Sequence, residues 1–241
     1  MILRLTLEYD GTDFRGWARQ PSLRTVEGVL GAALDEVFPH RGDLAVAGRT
    51  DAGVHATEQV ASVVVESGPP ATRAAEALNA VLPVDLAVRR AEEAPAGFHA
   101  RFSARSRSYR YRVLAASARS PLEARRALWW PRPVDEPALA AAAALLVGEH
   151  EFRAFTPTET QHEVFRRNVL SARWERSGDR LDFTITADGF LRHMVRTLVG
   201  TMLEAGGEGP ERMRMLLNGA PRSAAGLTAP PWGLYLEHVE Y

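Results

Sequence analysis

The chain has 241 residues, 46% of them hydrophobic, and a formal net charge of −1. It contains no cysteine and no lysine, which excludes disulfides, cysteine-ligated zinc, a thiol nucleophile and a lysine Schiff base. The seven histidines lack metal-binding spacing, no apolar run is long enough to span a bilayer, and no signal peptide is recognisable. These features predict a soluble cytoplasmic protein without a metal site.

The first half is predicted to alternate strands and helices. Alternating apolar residues indicate a strand over 3–9, and helical spacing indicates a helix that begins after Thr25 as N-cap. The following elements are strands at 44–47 and 59–65, a helix at 72–81 and a strand at 84–91. This β-α-β-β-α-β order is typical of a ferredoxin-like domain.

The second half has a similar predicted order. Its elements are a strand over 98–114, a helix from Pro137, strands at 165–176 and 180–187, a helix from about 194 to 203, a shorter helix at 211–217 and a strand at 233–240. We therefore predict an α+β fold of two ferredoxin-like halves, residues 1–97 and 98–241. Their mixed, mainly antiparallel sheets are expected to meet at a central active-site cleft.

The decapeptide Ala47-Gly48-Arg49-Thr50-Asp51-Ala52-Gly53-Val54-His55-Ala56 is the most informative segment. It places the Asp51 carboxylate between two glycines and close to Arg49, directly after a short apolar run. Glycines allow the chain to turn sharply there, so the acid can lie at the rim of a cleft. Taken alone, the pattern is equally that of a tight turn with Asp51 as a turn or cap residue.

Arginines are concentrated between residues 101 and 126. Eight arginines in this stretch face a single acid, Glu123, although the whole chain is nearly neutral. Such a stripe can bind phosphates or simply cover a solvated strand. Alternation places Arg105, Arg107, Tyr109, Tyr111 and Val113 on one face of the predicted strand.

Motifs along nearly the whole chain resemble those of the tRNA pseudouridine synthase A family. Beside the decapeptide they are Tyr9–Trp17 with Gln20, Leu78–Pro83, Phe98–Ala104, Tyr109–Tyr111, Gly148–Phe152, Phe190–Arg196 and Gly233–Leu236. Ala18 and Ser108 depart from the usual glutamine and arginine, which would weaken RNA contacts but leave the catalytic residues intact. The resemblance implies isomerisation of uridine to pseudouridine at positions 38, 39 and 40 of the tRNA anticodon stem-loop.

The same resemblance implies the roles of individual residues. Asp51 would be the catalytic nucleophile, attacking C6 of the base or C1′ of the ribose or acting on a glycal path, and Arg196 would form an ion pair with it. Tyr109 would stack on the flipped base and Leu234 would pack on its other side, while Arg49, Arg107 and Arg110 would bind the substrate. The family uses no cofactor, binds the tRNA anticodon arm and works as a cytoplasmic homodimer.

Two alternative functions remain open at this point. A non-catalytic RNA-binding module could also use ferredoxin-like halves and an arginine-rich aromatic strand. A nucleoside or glycoside hydrolase could use a carboxylate at C1′, but it usually needs a second acid across the scissile bond. Asp10 and Asp13 of the N-terminal motif are the candidates for this second acid, and their spacing is more typical of turn residues.

Overall fold

The computed structural model describes residues 1–160 and 162–241, which form two compact units. Unit 1 comprises Met1–Arg105 together with Leu236–Tyr241, and unit 2 comprises Ser106–Tyr235. The boundary between domains after residue 97 stays a prediction.

Unit 1 contains strands and helices in the predicted order. They are β1 (Ile2–Tyr9), α1 (Val26–Val37), β2 (Ala45–Val46), β3 (His55–Val64), α2 (Ala71–Asn79) and β4 (Leu86–Ala94). β1 lies between β4 and β3, and β2 pairs with β3, all antiparallel. The order β4-β1-β3-β2 is that of a ferredoxin-like sheet.

The apolar side chains of unit 1 explain this arrangement. Leu3, Leu5 and Leu7 alternate along β1 and are fully buried, as is Leu30 on α1. Thr25 is the N-cap of α1, as predicted, and its hydroxyl oxygen accepts a hydrogen bond from the Gly28 amide at 3.2 Å.

Strand β3 starts four residues earlier than the sequence indicates. Its first residues, from His55 to Gln59, are mostly polar and hide the strand from a hydrophobicity pattern. Pairing with β1 extends the strand to these residues, because Tyr9 is opposite Ala56 and Leu7 is opposite Gln59. Cross-strand partners thus override local composition here.

Unit 2 is built on an antiparallel sheet in the order β5-β9-β8-β7, with a short parallel strand β6 beside β5. Its elements are β5 (Ser106–Leu114), β6 (Leu128–Trp129), α3 (Glu136–Ala144), β7 (Gly148–Glu151), β8 (Arg166–Ser177), β9 (Arg180–Ala187), α4 (Met194–Ala205) and α5 (Gly209–Leu217). Strand β10 (Leu234–Glu240) begins in unit 2 and continues in unit 1. The predicted α+β class with mainly antiparallel sheets is confirmed.

Two element boundaries of the second half were predicted wrongly, and the short strands β6 and β7 were not predicted. The strand expected over 98–114 starts only at Ser106, because the preceding residues form a turn in which the Ser103 amide donates to the His99 carbonyl. The Ser103 hydroxyl also accepts a hydrogen bond from the His99 amide. Helix α3 begins one residue earlier than expected, since Asp135 caps it and Pro137 is its second residue.

The C-terminal residues complete unit 1. The Tyr241 hydroxyl donates to the Ala100 carbonyl at 2.8 Å, and its ring lies 4.9 Å from that of Phe98. The Arg105 amide donates to the Glu240 carbonyl, and β10 is hydrogen-bonded to β3. Unit 2 is therefore inserted, along the chain, between two parts of unit 1.

Candidate active site

Asp51 lies in a tight turn between β2 and β3 and is half-exposed. Its carbonyl accepts a hydrogen bond from the Val54 amide at 3.2 Å, which closes the turn. Gly53 has φ +79°, a left-handed conformation that favours glycine. Arg49 is exposed in the same segment. The turn therefore presents a carboxylate and a guanidinium two residues apart at the surface of unit 1.

The N-terminal motif holds this turn by backbone hydrogen bonds. The Trp17 amide donates to the Thr50 carbonyl at 3.0 Å, and the Gly53 amide donates to the Phe14 carbonyl at 3.2 Å. The turn is thus bonded on both sides of Asp51 to a segment more than thirty residues earlier in the chain.

Gly11 also belongs to the contact between the two segments. A Cβ atom at Gly11 would run into the Val54 carbonyl group, so only glycine allows the backbones to approach this closely. The side chain of Asp10 caps the short helical turn at Gly11–Asp13 by accepting from the Thr12 amide and hydroxyl. Asp10 is accordingly a turn residue, as its spacing indicated.

A buried polar network fixes the turn from below. The Tyr9 hydroxyl and the Thr50 hydroxyl are 2.8 Å apart, and the Gln59 side-chain amide donates to the Gly48 carbonyl at 2.7 Å and to the Tyr9 hydroxyl at 3.3 Å. Burial raises the pKa of Tyr9 to about 12, because the tyrosinate form would lose its hydration. The network consequently holds a neutral tyrosine.

His55, the last polar residue of the decapeptide, is buried under the N-terminal motif. Its Nδ1 atom lies 3.0 Å from the Gly11 amide nitrogen and 3.1 Å from Asp10 Oδ1. Neutral His55 can accept from the Gly11 amide through Nδ1, whereas a proton on that atom would be donated to Asp10. His55 therefore serves the local structure whichever of the two forms it takes.

Tyr109 lies on β5 and is 7% exposed. Its ring packs edge to face against Phe190, with ring centroids 4.9 Å apart. Tyr111, two residues further on the same face, is fully buried and donates its hydroxyl to the Pro230 carbonyl at 2.8 Å. Burial raises the pKa of Tyr111, and the charge of Arg196 opposes this effect.

The arginines of β5 are divided between its two faces. Arg107 shares a face with Tyr109 and donates to the Asp188 carbonyl at 3.0 Å. Arg110 is on the opposite face, where it lies 3.5 Å from Asp182, and Arg112 on that face stacks 4.6 Å above the Tyr235 ring. Of these three arginines only Arg107 lies on the same face as Tyr109, so the arginines of β5 do not line one continuous groove.

Arg196 and Leu234 belong to the part of unit 2 that surrounds Tyr111. The Arg196 Nε atom donates to the Ala229 carbonyl at 2.8 Å, and the Ala229 amide donates back to the Arg196 carbonyl. Leu234 is 6% exposed and starts β10, directly after Gly233, whose Cα lies so close to the Tyr111 ring that a side chain would clash.

Sequence reasoning missed one residue near this helix. His193 precedes α4 with φ +62°, a left-handed conformation that is uncommon for a residue other than glycine. Sequence spacing does not reveal such a conformation, although His193 lies within the motif from Phe190 to Arg196.

The predicted site residues are distributed over the two units. Asp51 and Arg49 belong to unit 1, whereas Tyr109, Arg107, Arg110, Arg196 and Leu234 belong to unit 2. The ion pair between Asp51 and Arg196 stays a prediction. Within the described ranges no group of three histidine or acidic residues could hold a metal ion. Across the same ranges, the helices are too short or too polar to cross a membrane.

A family model for tRNA pseudouridine synthases matches residues 6–103 and 142–241. This chain belongs to that family. The matched stretches contain Asp51, Arg49, Arg196 and Leu234, and β5 with Tyr109 lies between them. The family expected from the motifs is thereby confirmed.

Curated relatives of this tRNA pseudouridine synthase family agree over almost their full lengths. Proteins named tRNA pseudouridine synthase A from Moorella thermoacetica and Caldicellulosiruptor bescii are 42% and 36% identical to this chain. The alignments cover 99% of both chains in the first case and 98% of both in the second. A solved Cbf5–Nop10–Gar1 complex is more distant, with 13% identity and a TM-score of 0.43 over 98% of this chain and 49% of that one.

Proposed function

We propose that this protein isomerises uridine to pseudouridine at positions 38, 39 and 40 of the tRNA anticodon stem-loop. The observation that carries the proposal is the turn around Asp51 in a member of the tRNA pseudouridine synthase family. A half-exposed carboxylate sits there on a backbone tied to a second segment by hydrogen bonds on both of its sides. A rigid support of this kind is what a catalytic group requires.

The reaction rearranges atoms within one nucleotide. The bond between N1 and C1′ breaks, the base turns, and C5 forms the new bond to C1′. The proton on C5 is released and N1 gains one, so neither an oxidant nor a cofactor is consumed. We assign Asp51 as the nucleophile that assists this exchange, at C6 or at C1′ or on a glycal path.

The remaining residues would bind and orient the substrate. Arg196 would pair with Asp51 and hold its carboxylate in position, since an arginine can form a directional, charge-assisted hydrogen bond. Tyr109 and Leu234 would contact the two faces of the flipped uracil, and Arg49, Arg107 and Arg110 would bind the tRNA backbone. The side-chain bond of Arg107 to Asp188 would orient its guanidinium group.

We further propose a cytoplasmic homodimer as the working form. The anticodon arm is the tRNA element that each site would bind. Analytical ultracentrifugation with and without tRNA tests the dimer, and a monomer that retains full activity would overturn it.

Tritium release from tRNA that carries 5-³H-uridine tests the activity directly. Wild-type protein should release tritium without any added cofactor, and Asp51→Asn, which keeps the size of the side chain, should not. Both proteins should bind tRNA with similar Kd. Binding without release by wild type would instead indicate a non-catalytic RNA-binding module, and formation of free uracil would indicate a hydrolase.

A further inference from the structure

Unit 2 contains a cavity of about 520 Å³ beside the end of β5. Two tryptophans, Trp129 and Trp232, line it, together with Arg119 and Glu123. The cavity is formed chiefly by residues 114–129, which lie outside the two stretches matched by the family model. The family match therefore assigns this cavity no role.

The tryptophans of the cavity are unusually open to solvent. Trp129 is 42% exposed and Trp232 is 38% exposed. Single exposed apolar residues are common, but two large aromatic rings that line the same cavity indicate a binding surface. The indole nitrogen of Trp129 donates to the Ala116 carbonyl at 2.9 Å, which restricts the orientation of its ring.

Arginines outnumber acids on the segment that forms the cavity, whereas the lining itself contains one of each, Arg119 and Glu123. Arg119 is exposed at its wall, and Arg125 and Arg126 are exposed on the same short segment. Glu123 is the one acid between residues 101 and 126. Aromatic faces beside arginines are the usual means of binding single-stranded nucleic acid, because bases stack on the rings while phosphates meet the guanidinium groups.

The dimensions agree with a nucleotide. Small-molecule sites occupy about 300–1,000 Å³, and this cavity lies within that range. A base paired and stacked in a helix cannot enter a cavity, so the occupant must be unpaired. The Glu123 carboxylate is an acceptor for a base N–H group, which gives the site one polar contact to the base edge.

We infer that this cavity binds an unpaired nucleotide of the tRNA substrate, distinct from the uridine that is modified. The base would stack on Trp129 or Trp232, and its phosphate would meet Arg119. This inference rests on the proposed function, since it takes tRNA as the substrate. It adds a second anchoring point that depends on stacking rather than on the sequence of the target loop.

Filter binding of full-length tRNA at fixed salt tests the inference with Trp129→Ala, Trp232→Ala and the conservative Trp129→Phe. Stacking of one base contributes about 1–3 kcal/mol, so at least one of the two alanine variants should weaken tRNA binding by about 5- to 150-fold. Trp129→Phe should restore most of the affinity, because phenylalanine retains a stacking face. The increase in Kd should exceed any fall in kcat.

Arg119→Ala provides a second measurement that does not alter the aromatic residues. It should reduce the slope of log Kd against log salt by about one, whereas Arg73→Ala, an exposed arginine on α2, should leave affinity unchanged. Alanine variants that retain their melting temperature and bind tRNA within twofold of wild type would overturn the inference. If an alanine variant fails to fold, an unchanged salt slope for a folded Arg119→Ala variant would overturn the inference instead.

Tritium release by wild type separates this inference from the proposed function. Absence of tritium release would refute the proposed activity. The tRNA affinities of the cavity variants would still test whether the cavity binds a nucleotide. Normal release with unchanged affinity in every cavity variant refutes the cavity alone.

Discussion

Replacing Tyr9 by phenylalanine removes one buried hydroxyl from beneath the turn that carries Asp51. The ring stays in place, but Thr50 loses a hydrogen bond of 2.8 Å and Gln59 loses its second acceptor. A buried polar group left without its partner costs about 1–3 kcal/mol. We therefore expect the free energy of unfolding to fall by about 2 kcal/mol, equivalent to about 4–8 °C in Tm for a chain of this size.

The same change should reduce catalysis more than binding. Thr50 precedes Asp51 directly, so a loosened Thr50 lets the carboxylate leave its position. If 1–2 kcal/mol of that loss is expressed at Asp51, kcat should fall about 5- to 30-fold. The Kd for tRNA should remain near the wild-type value, because Tyr9 is buried and cannot contact the substrate.

Tyr241→Phe is the matched control. It removes a tyrosine hydroxyl from the same unit, where the bond to the Ala100 carbonyl is remote in sequence from the turn. Thermal unfolding and single-turnover tritium release would be measured for both variants. If Tyr9→Phe loses no more stability and no more kcat than Tyr241→Phe, the proposed support of the turn is refuted.

Three further predictions concern other parts of the molecule. Gly11→Ala should lower the free energy of unfolding by about 1–3 kcal/mol and abolish most activity, because the new Cβ atom would clash with the Val54 carbonyl. The control is Gly31→Ala on α1, where a Cβ atom has room and no destabilisation is expected. Thermal unfolding of the two variants compares them. Because the pKa of Tyr9 rises from 10.0 to about 12 on folding, the stability it contributes is complete below pH 10 and is lost between pH 10 and 12; denaturant titrations should show this loss, and Tyr9→Phe should diminish it. Tyr109→Phe should retain most tritium release and Tyr109→Ala should lose it; equal rates would refute stacking.

The helices and most strands were predictable because their apolar residues recur at the period of the element. One error arises where a side chain bonds to the backbone. Phe98, Ala100 and Phe102 alternate like a strand, yet the Ser103 hydroxyl accepts from the His99 amide and the Ser103 amide donates to the His99 carbonyl, which forms a turn. Phe102 is consequently 76% exposed instead of being buried in a sheet.

The candidate site was predictable as motifs but not as a structure. The resemblance identified Asp51 and the N-terminal motif separately, and no local pattern reveals that Tyr9 bonds to Thr50, which is 41 residues away. For β5, alternation does predict that Arg110 and Tyr109 lie on opposite faces, but it does not predict the partner of Arg110. The proximity of Arg110 to Asp182 depends on the register between β5 and β9, which places Asp182 opposite Arg112.

The interruption of unit 1 by unit 2 has a consequence for biosynthesis. Residues 236–241 reach the ribosomal exit only after the 130 residues from Ser106 to Tyr235 have been made. At about 5–20 residues per second, the edge of β3 waits roughly 7–26 s for its partner strand. During that interval β3 is paired with β1, and β2 covers only Ala61 and Ser62 on its other edge, so the rest of that edge, next to the turn that carries Asp51, is open to wrong pairing.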